Sequence, residues 1–454
     1  MLFNRHSMKF SAVDCGAECY GTLQSAVAFW VVLFSFAIGC GPPNPNVTNY
    51  QIGSSSMSPT WFGPHLTATC IHCGQQSAVV QEAYDPVVTT RCFSCGAVCF
   101  CKNDLHAGEV IGITRCTANA PLKRFDVVTF DTPSYDDDES PQTLKRVWAL
   151  PGERIELRDG EAWVDGKQLQ KSSQELAAIC VPLSRFPKDI RSHWWVVDSS
   201  SSESTRIELS ANQSHLKLEN RQRLEFRYVR PNRNPETPEM LPCQIVNDFP
   251  FNQNSIAKFH EVVDFLLAIE LVKPAIAPWL VSLQSEGKQY KVRLGSNSES
   301  HSRSAYVDGS NRLVIAVCDG RLLASTEKLK SQWKLVDLVE ILDPVNVVQD
   351  SQITITTTET MGIKRLLVAR DQWLGPRESR VTEWMPIGTE AEVAGGYFVL
   401  GDNLQLSIDS RDATVGRIAP ERIAGRVKRL EDSSEWILSL LNHAFRDVDG
   451  RRTN

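Results

Sequence analysis

The chain has 454 residues, enough for more than one folded unit. A hydrophobic content of 42% and a charged content of 22% exclude a disordered chain. A net charge of -6 argues against a dedicated nucleic-acid binder, because phosphate recognition needs a basic surface.

The first organised feature is AVAFWVVLFSFAIG, Ala26 to Gly39, apolar except for Ser35. Counted from Leu23 to Cys40, the run is just long enough for a bilayer, where about 20 residues are expected. It is apolar all round, unlike a core helix with one apolar face. Arg5 and Lys9 precede it, and no further Lys or Arg occurs until Arg91. The positive-inside rule places residues 1–22 in the cytoplasm, a single-pass anchor at 23–40, and the rest outside the cell membrane. A cleaved signal peptide and a lipidated Cys40 remain open alternatives. The leader carries Asp14 and Glu18, which favours the uncleaved anchor. GPPNPN follows Cys40 and stops any helix.

Next comes the serine cluster SSSMSPT, Ser54 to Thr60. On its own it reads as a turn. Beyond it, CIHCG (Cys70, Cys73) and CFSCG (Cys92, Cys95) form two C-x2-C-G knuckles within residues 61–104. Paired knuckles at this distance read as a zinc ribbon, four thiolates around one structural ion. Disulfides are the competing reading, since the topology puts the segment outside the cytoplasm. His72, Cys99 and Cys101 lie close enough to compete as ligands.

From about residue 105 the pattern turns to strands: EVIGITR, RFDVVTF, and then TLKRVWALPGERIELRDGEAWVDGKQL with tight-turn pairs Asp159-Gly160 and Asp165-Gly166. Residues 172–391 hold many short apolar runs between Ser, Asn, Gly and Pro turns, which predicts a β-sandwich domain of its own. Trp194 and Trp195 read there as core residues. GGYFVLGDN and RIAGRVKRL return to strands, and SSEWILSLLNHAF predicts a short C-terminal helix within 431–454. The fold class is mainly β.

Lys145 lies in QTLKRVWALPG among Leu144, Val147, Trp148 and Leu150. Burial of an amine disfavours its charged form, and a neutral amine can take a proton from a serine hydroxyl. Serine plus lysine is thus a minimal hydrolytic pair.

Four boxes then occur in order: SSSMSPT, RFDVVTF, LKRVWALPGE and GDNLQLSIDSR. Together, behind an apolar span, they resemble the bacterial type I signal peptidases, membrane-anchored Ser/Lys enzymes with an antiparallel β catalytic core. The resemblance covers residues 41–60, 105–171 and 392–430, and makes 61–104 and 172–391 insertions. It implies Ser56 as nucleophile, Lys145 as general base and Ser54 as oxyanion partner. Ser407 would orient the lysine amine, with Asp409 and Arg411 as a supporting acid–base pair. No cofactor is implied for catalysis. The implied substrates are preprotein signal peptides cut after small residues in an Ala-x-Ala pattern, beside the bilayer and the translocation machinery. The peptide would add as a strand along the serine and lysine segments, with Ile52 and Leu144 lining two shallow pockets.

The chain departs from the family pattern at Gly53, where a proline is usual. It also has Arg124-Phe125 in place of a glycine, and Leu404-Gln405-Leu406 in place of charged residues. A self-cleaving repressor-type peptidase would need a DNA-binding unit and no span, the reverse of this pattern. A catalytically inactive surface-binding protein using the ribbon and sandwich is the alternative from another class. Intact Ser54, Ser56, Lys145 and Ser407 count against it.

Overall fold

The computed structural model describes residues 47–72, 74–80, 89–92, 97–102, 104–116, 121–131, 142–186, 194–198, 204–206, 215–231, 239–247, 259–274, 279–285, 288–294, 311–326, 350–375, 395–412, 414–427 and 436–444. The expected anchor at 23–40 and the cytoplasmic segment before it lie outside these. Among the described residues no helix is long and apolar enough to cross a membrane.

The described chain is mainly β. One antiparallel sheet has six strands in the order Val47–Gln51, Val110–Arg115, Ile423–Val427, Val127–Asp131, Gln142–Ala149 and Phe398–Leu400. Its members come from three stretches far apart in sequence. Ile111 and Ile113 alternate with exposed residues, which buries one face of the strand Val110–Arg115. The strands Val127–Asp131 and Gln142–Ala149 are buried almost throughout, the second with Lys145 and Arg146 buried among its apolar residues. A small three-stranded sheet, Ile155–Arg158, Glu161–Val164 and Lys167–Gln168, follows. Its turns use Asp159, Asp165, Gly160 and Gly166 at positive φ.

Residues 181–370 build two further six-stranded sheets. One contains Val181–Phe186, Met361–Arg370, Phe265–Leu271, Arg312–Cys318 and Arg321–Thr326, with Leu216–Leu218 also on Met361–Arg370. The other contains Ser204–Arg206, Trp195–Asp198, Arg223–Arg227, Gln352–Thr357, Trp279–Ser285 and Lys288–Leu294. Side chains from both meet in one large apolar cluster that includes Phe186, Phe226, Phe265, Leu283 and Ile355, so the sheets pack face to face. Trp194 and Trp195 are buried there. Their indole N–H groups donate to the Val229 carbonyl (3.0 Å) and the Ser184 hydroxyl (2.6 Å).

The reverse side of the first of these sheets is covered by two helices, Ser173–Ile179 and Trp436–Ala444. The first was not anticipated, although Ser172 and Glu175 form a reciprocal capping box that the sequence spells out. His443 on the second helix lies edge-on to Trp61, with ring centres 6.2 Å apart.

A buried charge cluster joins the small sheet to the first of the large ones. Lys171 Nζ lies 3.2 Å from Glu161, 2.7 Å from Asp319 and 3.1 Å from Asp371, and its side chain is 3% exposed. Asp264 accepts from the Asp319 N–H (2.7 Å). Beside the cluster the Leu374 N–H donates to the Gly160 carbonyl (2.7 Å). The Trp373 ring fills the space where a Cβ on Gly160 would sit.

Burial and neighbouring carboxylates raise Glu161 to about 8 and Asp264 to about 7, against the opposing pull of Lys171. Unfolded carboxyls titrate near pH 4, so the folded chain holds these protons where the unfolded chain has lost them. That stabilisation is complete below about pH 4 and is lost as pH rises through 7 to 8. The denaturant midpoint is therefore expected to fall between pH 5 and pH 9, with a shallower slope in Glu161→Gln; equal slopes would refute the assignment. Lys171→Met, which leaves the carboxylates without their cation, should cost about 3–5 kcal/mol in equilibrium unfolding.

Candidate active site

Ser56 sits in a single 3-10 turn, Ser55–Met57, just past the first strand of the peptidase-like sheet. Ser54 precedes it in extended conformation with φ -141. Met57 is buried with Ile52, Ile111, Ile113, Val127 and Leu144, and this apolar packing seats the turn. The turn is then held from the far end of the sequence. Asn403 donates its N–H to the Ser56 carbonyl (3.0 Å) and its side-chain amide to the Ser55 carbonyl (3.1 Å). Gly401 faces the same carbonyl. A Cβ there would lie 2.5 Å from the Ser56 oxygen and 2.2 Å from Ser407 Oγ, so only glycine fits.

Lys145 comes from the strand Gln142–Ala149 and is 3% exposed. Its Nζ lies 2.9 Å from Ser56 Oγ, across 89 residues of sequence. Ser54 Oγ lies 3.2 Å from the same oxygen. Three groups expected to share one site therefore meet at one atom. The lysine strand pairs with Phe398–Leu400 only as far as Arg146, so residues 142–145 pair on one side alone among the described strands. Ile52 and Leu144 share one apolar cluster beside it.

Asp409 and Arg411 form a buried bidentate pair, Nε to Oδ1 at 2.8 Å and Nη2 to Oδ2 at 3.0 Å. Burial alone would raise the Asp409 carboxyl, but Arg411, the Gly401 N–H and Lys145 outweigh it and hold it below the usual range. Arg411 also donates to the carbonyls of Gly375 (3.0 Å) and Leu404 (2.8 Å). Leu404, which replaces a charged residue of the family pattern, is buried against Phe398 and Leu400.

Ser407 is fully buried, but its hydroxyl makes no hydrogen bond among the described residues. It faces Gly401 rather than engaging the Lys145 amine, so the orienting contact expected of it is not formed here.

Two residues matter more than the sequence suggested. Arg146, next to the lysine, is 3% exposed and grips Asp402 with two nitrogens, Nε to Oδ1 at 2.7 Å and Nη2 to Oδ2. Thr60 donates to the same carboxylate. Arg146 also donates to the Phe125 carbonyl (3.1 Å). One ion pair thus ties together the serine segment, the lysine strand, the Arg124-Phe125 corner and the Gly-Asp-Asn turn. The adjacency of Arg146 to Lys145 was the available signal.

At that corner Phe125 has φ 66, a left-handed conformation that costs a non-glycine residue about 1–2 kcal/mol. The family has glycine here. Phe125 compensates by burying its ring edge-on against Trp148 at 5.1 Å. Arg124 grips Glu153 with both guanidinium nitrogens, at 3.0 and 2.7 Å, and so fastens the Pro-Gly-Glu turn.

Residues 27–178 match the family described as signal peptidase, peptidase S26. The match covers about a third of the chain and includes Ser54, Ser56 and Lys145. It ends well before the Gly-Asp-Asn box that the fold brings back to them. No curated protein matches the chain.

Asn403→Ala removes a buried hydrogen bond to the nucleophile turn without touching Ser56 or Lys145. Peptidase kcat should fall roughly tenfold, corresponding to about 1–2 kcal/mol, with a much smaller change in KM. Steady-state kinetics on a preprotein checks this; a change confined to KM would count against a positioning role.

Proposed function

We propose that the chain is a membrane-bound signal peptidase that cuts exported preproteins after small residues in an Ala-x-Ala pattern. The observation that carries this reading is the 2.9 Å approach of the buried Lys145 amine to Ser56 Oγ. The similarity of residues 27–178 to the S26 signal peptidases supports it. The apolar run at 23–40 would anchor the chain, with the catalytic sheet outside the cytoplasm.

The chemistry follows from the placement of three side chains. In its neutral form the Lys145 amine accepts the Ser56 hydroxyl proton. Ser56 Oγ then attacks the scissile carbonyl carbon. The negative charge that develops on the carbonyl oxygen is met by the Ser56 N–H and the Ser54 hydroxyl. The lysine ammonium returns its proton to the leaving amine, and the peptide C–N bond breaks. A water molecule, deprotonated by the same lysine, attacks the acyl-serine ester; the C–Oγ bond breaks, Ser56 Oγ takes the proton back from the lysine, and the signal peptide leaves with a new carboxylate. The Ser54 hydroxyl lies near Ser56 Oγ and reaches the oxyanion by rotating about its own side-chain bond.

The preprotein backbone would pair with residues 142–145, the part of the lysine strand beyond its pairing with Phe398–Leu400. Ile52 and Leu144 lie in one apolar cluster beside this slot and would line the pockets for two small side chains at alternating positions.

Purified full-length protein in detergent should cleave a preprotein after Ala-x-Ala, with the cut read by mass spectrometry. Ser56→Ala and Lys145→Met should each abolish cleavage, a loss on the order of 10³-fold or more, while retaining the wild-type unfolding transition. Undiminished cleavage by either variant would sink the assignment.

A further inference from the structure

Residues 61–109 leave the serine segment and return to the peptidase-like sheet through two hairpins, His65–Thr69 with Gln76–Val80 and Thr89–Arg91 with Val98–Phe100. Each is a separate two-stranded sheet, and such hairpins are marginal in isolation. Their shared apolar cluster is small: Leu66, Ala68, Val79 and three cysteines, Cys70, Cys92 and Cys99. A module with so little core needs a staple.

The two hairpins close in the same way. Cys70 donates its N–H to the Gln75 carbonyl (2.8 Å), and Cys92 donates to the Ala97 carbonyl (2.8 Å). Each bond spans five residues and encloses a C-x2-C-G sequence. In the first turn Gly74 has φ 74 and its N–H returns to the Cys70 carbonyl (2.8 Å), a tight turn that glycine permits. Cys70 and Cys92 are each 2% exposed and lie in one cluster. Cys73 and Cys95 lie outside the described residues, and the sequence places each directly before its glycine. Cys99 belongs to a strand rather than a turn, and Cys101 bridges Ala68. A disulfide inside each turn would staple that turn alone. One tetrahedral ion would join both turns and hold the hairpins to each other.

We propose that Cys70, Cys73, Cys92 and Cys95 bind one structural zinc ion, and that the module it stabilises buttresses the nucleophile segment. The buttress is on the neck of the module. His65 and His106 exchange backbone hydrogen bonds (3.1 and 2.8 Å) and stack their rings. Below them the Glu109 N–H donates to the Phe62 carbonyl (2.9 Å), and the Phe62 N–H donates to Glu109 Oε2 (3.0 Å). The Ile52 N–H then donates to the Glu109 carbonyl (2.8 Å). Both neck strands press on the backbone leading to Ser56. A Cβ on Gly63 would lie 2.4 Å from the Ser54 oxygen, and one on Gly108 would lie 1.7 Å from the Ile52 oxygen. The metal assignment stands without the peptidase reading; the buttress rests on it.

The test is metal analysis of the full-length protein purified in detergent. Wild type and Cys243→Ser should carry about one zinc ion per chain, and Cys70→Ser and Cys92→Ser far less. Where those variants fail to fold, cobalt exchanged into the wild type should give the sulfur-to-cobalt charge-transfer absorption of a tetrahedral thiolate site. Metal-free protein whose intact mass is lower by the hydrogens of disulfide bonds overturns the proposal, as does full zinc content in a folded Cys70→Ser. Removing the ion with a chelator should lower peptidase kcat roughly 10- to 100-fold with little change in KM. Loss of zinc with unchanged kcat overturns the buttress alone. Zinc present in a protein that cleaves nothing leaves the metal site standing and refutes the peptidase reading.

Discussion

The arrangement of the candidate site depends on one buried ion pair, Arg146 with Asp402. The two residues are 256 positions apart, and both are nearly or wholly excluded from water. A buried guanidinium and carboxylate offset their desolvation only with good geometry and further hydrogen bonds. Here Thr60 and the Phe125 carbonyl supply those bonds. Because the fork is planar and the carboxylate bidentate, the pair fixes orientation as well as distance. Lys145 and Ser56 inherit that placement, Lys145 as the neighbour of Arg146 and Ser56 through Thr60 and Asn403.

A second set of charges extends this rigidity outward. Lys171 joins the small sheet to the ends of two long hairpin strands through Asp319 and Asp371. The segment after Asp371 runs past Gly160 to Gly375, whose carbonyl accepts from Arg411. Arg411 in turn pairs with Asp409. The first large sheet, on which the second packs, is therefore wired to the turn that carries Gly401, and does not hang from the peptidase-like sheet by linkers alone. This contact, together with that of His443 with Trp61, gives the long second half of the chain a direct bearing on the geometry of Ser56.

Much of this was legible in the sequence, and the exceptions have physical causes. Ser56, Lys145 and Ser54 were legible through the four boxes taken together rather than singly, and all three converge. The strand pattern was readable from apolar runs and from turn pairs such as Asp159-Gly160. Three features were not. The helix Ser173–Ile179 is too short for its periodicity to stand out, though its capping box is explicit. Phe125 occupies a backbone position that suits glycine, and only the Trp148 ring explains why a large side chain is tolerated. The hydroxyl direction of Ser407 depends on its rotamer beside Gly401, which no sequence pattern encodes. Arg146 and Thr60 were visible, but their value came from a partner that the fold alone reveals.

The place of Ile423–Val427 has a consequence in time. This strand lies between Val110–Arg115 and Val127–Asp131, so two early strands cannot pair with each other across the gap it fills. The Gly-Asp-Asn turn that holds Ser55 and Ser56 also arrives only after residue 400. A chain emerging from its N-terminus thus carries Ser56 and Lys145 long before it can align them. Ser56 and Lys145 are therefore not aligned as a pair until the strand Ile423–Val427 and the Gly-Asp-Asn turn have joined the sheet. Non-local closure of this kind is slow to form, and it shields a growing chain from its own nucleophile.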